Sequence, residues 1–291
     1  MRWIYVVILA AVQGLTELLP VSSSAHVIVT AELLHENMST PANALLLVML
    51  HTGTMFAVIV YFWRQWVETF FSSWNAFYRF ARMVFVVSLL SGVVAVPLIL
   101  LVEHILSHGN HHAVIEALFH KLNWIAPALA AAGLLILWAG LREARNPDSQ
   151  LAERPREVNW SQAMIMGILQ GVAIPFRGFS RSGSTISGGL LADGDRMPIE
   201  SFSFAMVVAI TPLAIARELY RLIRADAHAG IHLNLAVALA PSLLGMVCAF
   251  FAGLLALKWL SRWLEQGRWY LFGIYCLAAS AVVAVLYLHG W

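Results

Sequence analysis

The chain has 291 residues, 60% of them hydrophobic and only 12% charged, with a formal net charge of +2. A soluble domain carries about 25% charged residues, so these proportions and a mean hydropathy of +0.76 point to a polytopic membrane protein built as one domain. The small net charge argues against a nucleic-acid partner.

Trp3 to Leu19 is apolar apart from Gln13, Thr16 and Glu17. Met1-Arg2 before an apolar run resembles a secretory signal. Gln13 and Glu17 interrupt that run and no cleavage-site pattern follows, so the segment is expected to be retained. Pro20-Val-Ser-Ser-Ser-Ala-His26 comes next, then a second short apolar run, Val27–Leu34. Each piece is marginal or short for a span of ~20 residues. Two short helices around a polar turn predict a re-entrant hairpin. Full spans are expected over Ala44–Trp63, Met83–Val102 and Trp124–Leu141. Ser161–Ile174 and Thr185–Ala192 repeat the short-turn-short pattern, and Phe202–Ala216 (kinked at Pro212), Leu233–Leu257 and Trp269–Leu288 complete six spans. Trp63, Trp66, Trp124, Trp160, Trp259, Trp263 and Trp269 flank these runs as interfacial belts do. Cys248 and Cys276 lie in apolar spans without metal-ligand spacing, and no disulfide is expected.

The two halves look alike. Gln13-Gly14 precedes Pro20 and Ser22-Ser23-Ser24; Gln170-Gly171 precedes Pro175 and Ser180-Arg181-Ser182. Three spans follow each hairpin, so the second hairpin enters from the opposite face. The expected fold is therefore an all-α polytopic membrane protein, with six transmembrane helices and two re-entrant helical hairpins in an inverted-topology repeat. Repeat 1 covers about 1–142, a cytoplasmic linker about 143–159, and repeat 2 about 160–291. Eleven Lys and Arg, among them Arg79, Arg142 and Arg196, fall on one face and five on the other. The richer face is expected to be cytoplasmic. That leaves the first hairpin, both termini and the His-rich loop Glu103–Asn123 outside. The loop's five histidines lack regular metal-site spacing and read as a solvated, pH-sensitive segment.

Arg177 and Arg181 stand where their surroundings predict hydrocarbon, and a charge there is costly and marks function. They lie in Ile174-Pro-Phe-Arg-Gly-Phe-Ser-Arg-Ser-Gly-Ser-Thr185, where Pro175, Gly178 and Gly183 predict broken helix. Loose amides, hydroxyls and guanidinium groups together make a receptor for phosphate. The structural alternative for Arg181 is a snorkelling or ion-paired side chain, and for Ser184 and Thr185 it is helix capping. Gln13 and Glu17, four apart, share a helical face. Glu17 is either a carboxylate paired to a neighbouring Arg or a ligand for a hard cation, Mg²⁺ or Ca²⁺. Ser23 and His26, three apart, pair a hydroxyl with an imidazole, the makings of a nucleophile and its base. The blander reading of the serines is capping. His51-Thr-Gly-Thr54 reads as helix packing through small residues with a hydrogen-bonded His.

These residues resemble the undecaprenyl-diphosphate phosphatases of the bacitracin-resistance type. The likeness is sharpest in Gln13-Gly-Leu-Thr-Glu17-Leu-Leu-Pro-Val-Ser-Ser-Ser-Ala-His26 and in Gly178-Phe-Ser-Arg-Ser-Gly-Ser-Thr185. The resemblance implies hydrolysis of a C55 isoprenoid diphosphate to the monophosphate with a divalent cation. It also implies a site opening to the outer face of a bacterial cytoplasmic membrane, a homodimer, and a place in recycling the cell-wall lipid carrier. Carried over, Glu17 is the catalytic or metal-binding acid, Ser23 the nucleophile, His26 its base and Arg181 the phosphate clamp. Ser180 and Thr185 are then phosphate ligands, and Gln13, Arg177 and Ser182 are expected from their position to be further phosphate contacts. Two features depart from the pattern: Ser24-Ala25 stands where Thr-Gly is common, and Phe176-Arg177 separates Pro175 from Gly178. A transporter or flippase of a phosphorylated lipid would use the same architecture; a nucleophile–base–acid set beside the clamp is what transport does not require.

Overall fold

The computed structural model describes residues 3–36, 40–106, 122–145, 157–176, 178–229 and 235–289. Arg177, most of the His-rich loop and most of the linker at 143–159 lie outside them. The described residues form helices in this order: α1 Trp3–Leu18, α2 Ser23–Leu33, α3 Pro41–Thr69, α4 Trp74–Leu106, α5 Leu122–Arg145, α6 Trp160–Ala173, α7 Arg181–Leu191, α8 Arg196–Ala229, α9 Leu235–Glu265 and α10 Tyr270–Leu288. Five stretches are long and apolar enough to cross a membrane: Ala42–Thr69, Trp74–Val102, Trp124–Arg145, Leu239–Glu265 and Tyr270–Leu288. The chain is a multi-pass membrane protein. The sixth expected run, Phe202–Ala216, lies inside α8.

Both predicted interruptions are present, but the helices after them start earlier than the hydropathy suggests. α2 begins at Ser23 instead of Val27, and α7 at Arg181 instead of Thr185. Polar residues are at home in a first turn, where backbone N–H groups lack intrahelical partners, so the apolar run marks a helix's middle better than its start.

The chain forms two compact units. Unit 1 gathers Met1–Leu19, Ser23–Gln65 and Met206–Leu260; unit 2 gathers Pro20–Ser22, Trp66–Ala205 and Ser261–Trp291. The core of unit 1 is built from Tyr5, Val6, Leu9 and Ala10 of α1, Val27 of α2, Leu46 and Leu50 of α3, and Ala249 of α9. Small residues bring these helices close. A Cβ on Gly14 would lie 2.7 Å from the Ala249 carbonyl oxygen, and one on Gly53 would lie 2.2 Å from that of Met246. Backbone cannot retreat as a flexible side chain can, so the α3–α9 approach depends on a missing methyl group.

In unit 2, α5 runs against α10, α4 against α6, and α7 against both α6 and α5. A Cβ on Gly273 would lie 2.5 Å from the Leu137 backbone nitrogen. One end of the unit carries a polar network. Arg196 donates to Glu143 and, at 2.7 Å, to the Glu265 carbonyl. Arg142 donates to the Leu191 carbonyl at the end of α7 and, at 3.2 Å, to Asp193. Two of the tryptophans flanking the apolar runs are packed within the protein. Trp66 and Trp269 are buried, and their indole N–H groups donate to Ser201 (3.0 Å) and Ser187 (2.9 Å). A ring that finds a partner for its one polar atom can be buried whole.

Gly53→Ala is expected to lower stability by about 1–3 kcal/mol, the usual cost of overpacking. A fall in the midpoint of thermal unfolding in detergent checks it.

Candidate active site

The first interruption is a sharp one. α1 ends at Leu18, α2 starts at Ser23, and Ser22 between them takes a left-handed backbone conformation with φ 66°. A non-glycine residue in that region is uncommon, and such strain persists where the surroundings hold it. Pro20 is held on both sides within unit 2. Its carbonyl accepts from the buried Cys276 thiol at 3.1 Å, and its Cβ lies where a Cβ on Gly183 of α7 would approach to 3.1 Å.

Beyond that turn the chain doubles back, and Ser23 meets Glu17. The Ser23 hydroxyl donates to Glu17 Oε2 at 2.5 Å, the short range typical of a hydroxyl on a carboxylate. The same oxygen accepts from Gln13 Nε2 at 3.1 Å, one helical turn earlier. Gln13 Nε2 also lies 3.4 Å from His51 Nε2 of α3, and that nitrogen is 3.8 Å from Glu17 Oε2. Gln13, Glu17, Ser23 and His51 therefore form one cluster within unit 1. The polar patch His51–Thr54 does pack through Gly53, as its composition suggests. His51, read from sequence as a hydrogen-bonded His in that packing patch, is hydrogen-bonded to the Leu47 carbonyl and also belongs to this cluster. Its signal was weak: one imidazole in an apolar span, 34 positions from Glu17 in the chain. His26 lies in the first turn of α2, half-buried.

The second interruption, in unit 2, runs from the end of α6 to the start of α7. Phe179 N–H donates to the Phe176 carbonyl at 3.0 Å. Gly178 has φ +103°, and a Cβ there would meet the Ile125 carbonyl of α5 at 2.6 Å. Both conditions require glycine. Ser180 is the N-cap of α7, its hydroxyl accepting from Gly183 N–H at 3.2 Å. Arg181 is the first residue of the helix and is half-buried. Ser182 and Thr185 are buried. The Thr185 hydroxyl is 2.9 Å from the Arg181 carbonyl and 2.6 Å from the Ser203 hydroxyl of α8. Ser184 donates to the Arg181 carbonyl at 3.0 Å. The hydroxyls read as phosphate contacts or caps thus also brace the first turn that carries Arg181.

Among the described residues no three His, Cys, Asp or Glu side chains come together as a metal cluster. The Glu17 carboxylate, the Gln13 amide and the Ser23 hydroxyl still suit a hard divalent cation, which commonly takes one or two carboxylates and completes its shell with water and substrate phosphates.

Residues 6–282 match the model of a protein family described as bacitracin resistance protein BacA. The chain belongs to the BacA family. It is 50% identical over 290 residues to undecaprenyl-diphosphatase 2 of Acinetobacter baylyi, covering 98% of each chain. It is 34% identical to the undecaprenyl-diphosphatase of Desulfatibacillum aliphaticivorans, over 98% of this chain and 99% of that one. To the undecaprenyl-diphosphatase of Bacteroides fragilis it is 28% identical over 98% of both. The BacA match takes in both interruptions and every described residue of the two motifs.

Ser180→Ala removes the α7 cap and is expected to cost about 1 kcal/mol. Chemical denaturation in mixed micelles, compared with the unmodified chain, measures that loss.

Proposed function

We propose that this BacA-family chain is an undecaprenyl-diphosphate phosphatase, releasing inorganic phosphate from the lipid diphosphate and leaving the lipid monophosphate. The observation that carries the reading is the Ser23 hydroxyl set on Glu17 Oε2 at 2.5 Å, in a chain aligned along 98% of its length with relatives named for that activity. A hydroxyl whose proton already points at a carboxylate is prepared to become a nucleophile.

In this reading Ser23 Oγ attacks the terminal phosphorus. An Oγ–P bond forms, the bridging P–O bond breaks, the lipid monophosphate departs, and the serine proton passes to Glu17. Water then attacks the phosphoserine, the Oγ–P bond breaks as Glu17 returns the proton to Oγ, and inorganic phosphate leaves. His26, which the resemblance makes the base of Ser23, takes the water's proton instead, because the Ser23 hydroxyl is directed at Glu17. Arg181 clamps the phosphate oxygens, aided by Arg177, Ser180, Ser182 and Thr185, while Gln13 holds Glu17 and contacts the departing phosphate. A divalent cation held by Glu17, Mg²⁺ or Ca²⁺ on the hard-oxygen argument, would offset the phosphate charge when bound.

The same reading extends to architecture. Six spans and two re-entrant hairpins form an inverted repeat, with repeat 1 over about 1–142 and repeat 2 over about 160–291. The helix interruptions at Pro20 and Pro175 support it. The Lys and Arg excess on one face supports a site opening to the outer side of the bacterial cytoplasmic membrane. The functional form is a homodimer.

Arg181→Ala is expected to lower phosphate release from the lipid diphosphate by about 10³-fold or more, the scale of a lost arginine clamp, while the protein still inserts and purifies. Near-normal turnover in that variant refutes the clamp. Rapid quench with a ³²P-labelled diphosphate should trap phosphate on Ser23. If Ser23→Ala retains substantial activity, water is the attacking group.

A further inference from the structure

The hydrogen bond on the far side of the His51 ring decides what its near side can do. His51 Nδ1 lies 2.9 Å from the Leu47 carbonyl oxygen. A carbonyl only accepts, so Nδ1 carries the proton and the neutral ring keeps a bare lone pair on Nε2. Ring nitrogens that bind metals are oriented in this way, by a backbone carbonyl holding the opposite N–H. The bare nitrogen faces the Glu17 and Gln13 side chains.

The three atoms there are spaced like donors. Glu17 Oε2, the Gln13 amide terminus and His51 Nε2 form a triangle with sides of 3.1, 3.4 and 3.8 Å. One face of a tetrahedral shell with bonds of about 2.0–2.1 Å has edges of about 3.3 Å. Turning the Gln13 amide by half a revolution exchanges nitrogen for oxygen at the shared corner, giving a carboxylate oxygen, an amide oxygen and an imidazole nitrogen. Glu17 Oε2 has more than one lone-pair direction, so holding a cation is compatible with accepting from Ser23. The side chain of Glu17 is 14% exposed and that of His51 44% exposed, which leaves room for water or a phosphate oxygen to complete the shell.

We propose that His51 is a nitrogen ligand of the catalytic cation, completing with Glu17 and Gln13 a three-donor site open on one side. The proposal rests on the cation-assisted reading above and changes the cation it favours. Mg²⁺ and Ca²⁺ take oxygen donors, so a nitrogen donor favours a first-row divalent ion. Mn²⁺, the hardest and weakest-binding of that series, should still bind more tightly than either.

The test uses the full chain in detergent micelles, with Mn²⁺ as probe. Electron paramagnetic resonance titration measures affinity, and electron spin-echo modulation reads nitrogen bound to the metal. The unmodified chain should bind Mn²⁺ with ¹⁴N modulation that converts to ¹⁵N when histidine is labelled. H51Q should lose the modulation and bind about tenfold or more weakly, whereas H26Q should keep it. A wild-type complex without nitrogen modulation, modulation that survives in H51Q, or no Mn²⁺ binding at all overturns the proposal. H51N serves as the second variant if H51Q melts early. Phosphate release is measured separately: absence of lipid-diphosphate hydrolysis with any cation sinks the enzymatic reading and leaves the spectroscopic result standing.

Discussion

A carboxylate on an apolar helix must be given donors, and the first motif is arranged to supply them. Gln13 sits one turn before Glu17 on the same face. Ser23 reaches Glu17 from the other direction only because the chain breaks between them. In an unbroken helix six residues span about 9 Å of axis and end on a different face. Pro20 and the left-handed Ser22 stop α1 and restart the chain as α2, so an acid and a hydroxyl that are sequence neighbours become hydrogen-bonded ones. The left-handed backbone at Ser22 is thus part of what brings the Ser23 hydroxyl onto Glu17.

The second motif satisfies its polar groups differently. Backbone and hydroxyl groups packed away from water need partners within the protein. Ser180 caps α7, Thr185 shares its hydroxyl with Ser203, and Ser91 bonds the Val87 and Gly167 carbonyls while accepting from Gln170. Gly178 allows the turn to press against α5 where any side chain would collide. What these contacts deliver is a fixed first turn of helix headed by a cationic side chain.

Much of this was legible beforehand. Pro20 and Pro175, each followed by serines, announced the two interruptions, and the apolar runs located the middles of the helices. Gln13 and Glu17 declared their shared face by spacing alone. Hydropathy alone placed helix starts late: the apolar run after Pro20 begins at Val27, although Ser23 opens the helix, whereas Arg181 already read as the head of its helix, as it is. That Trp66 and Trp269 are buried was not legible, because a sequence cannot show that Ser201 and Ser187 wait for their N–H groups. His51 was the harder case. Its place beside Glu17 depends on how α3 packs against α1, and no local periodicity encodes a meeting between residues 34 positions apart.

The spans differ in length, and this has a consequence for the lipid around them. α10, with 19 residues, is about 28 Å long, while its partner α5, with 24, is about 36 Å. A bilayer's hydrocarbon core is about 30 Å thick. Gly133 and Gly273 hold the two helices in close register, so α10 has little freedom to slide or tilt alone. The shorter partner therefore sets the membrane thickness this unit suits. Lipids with longer tails would have to thin locally around α10, making the protein's stability depend on acyl-chain length.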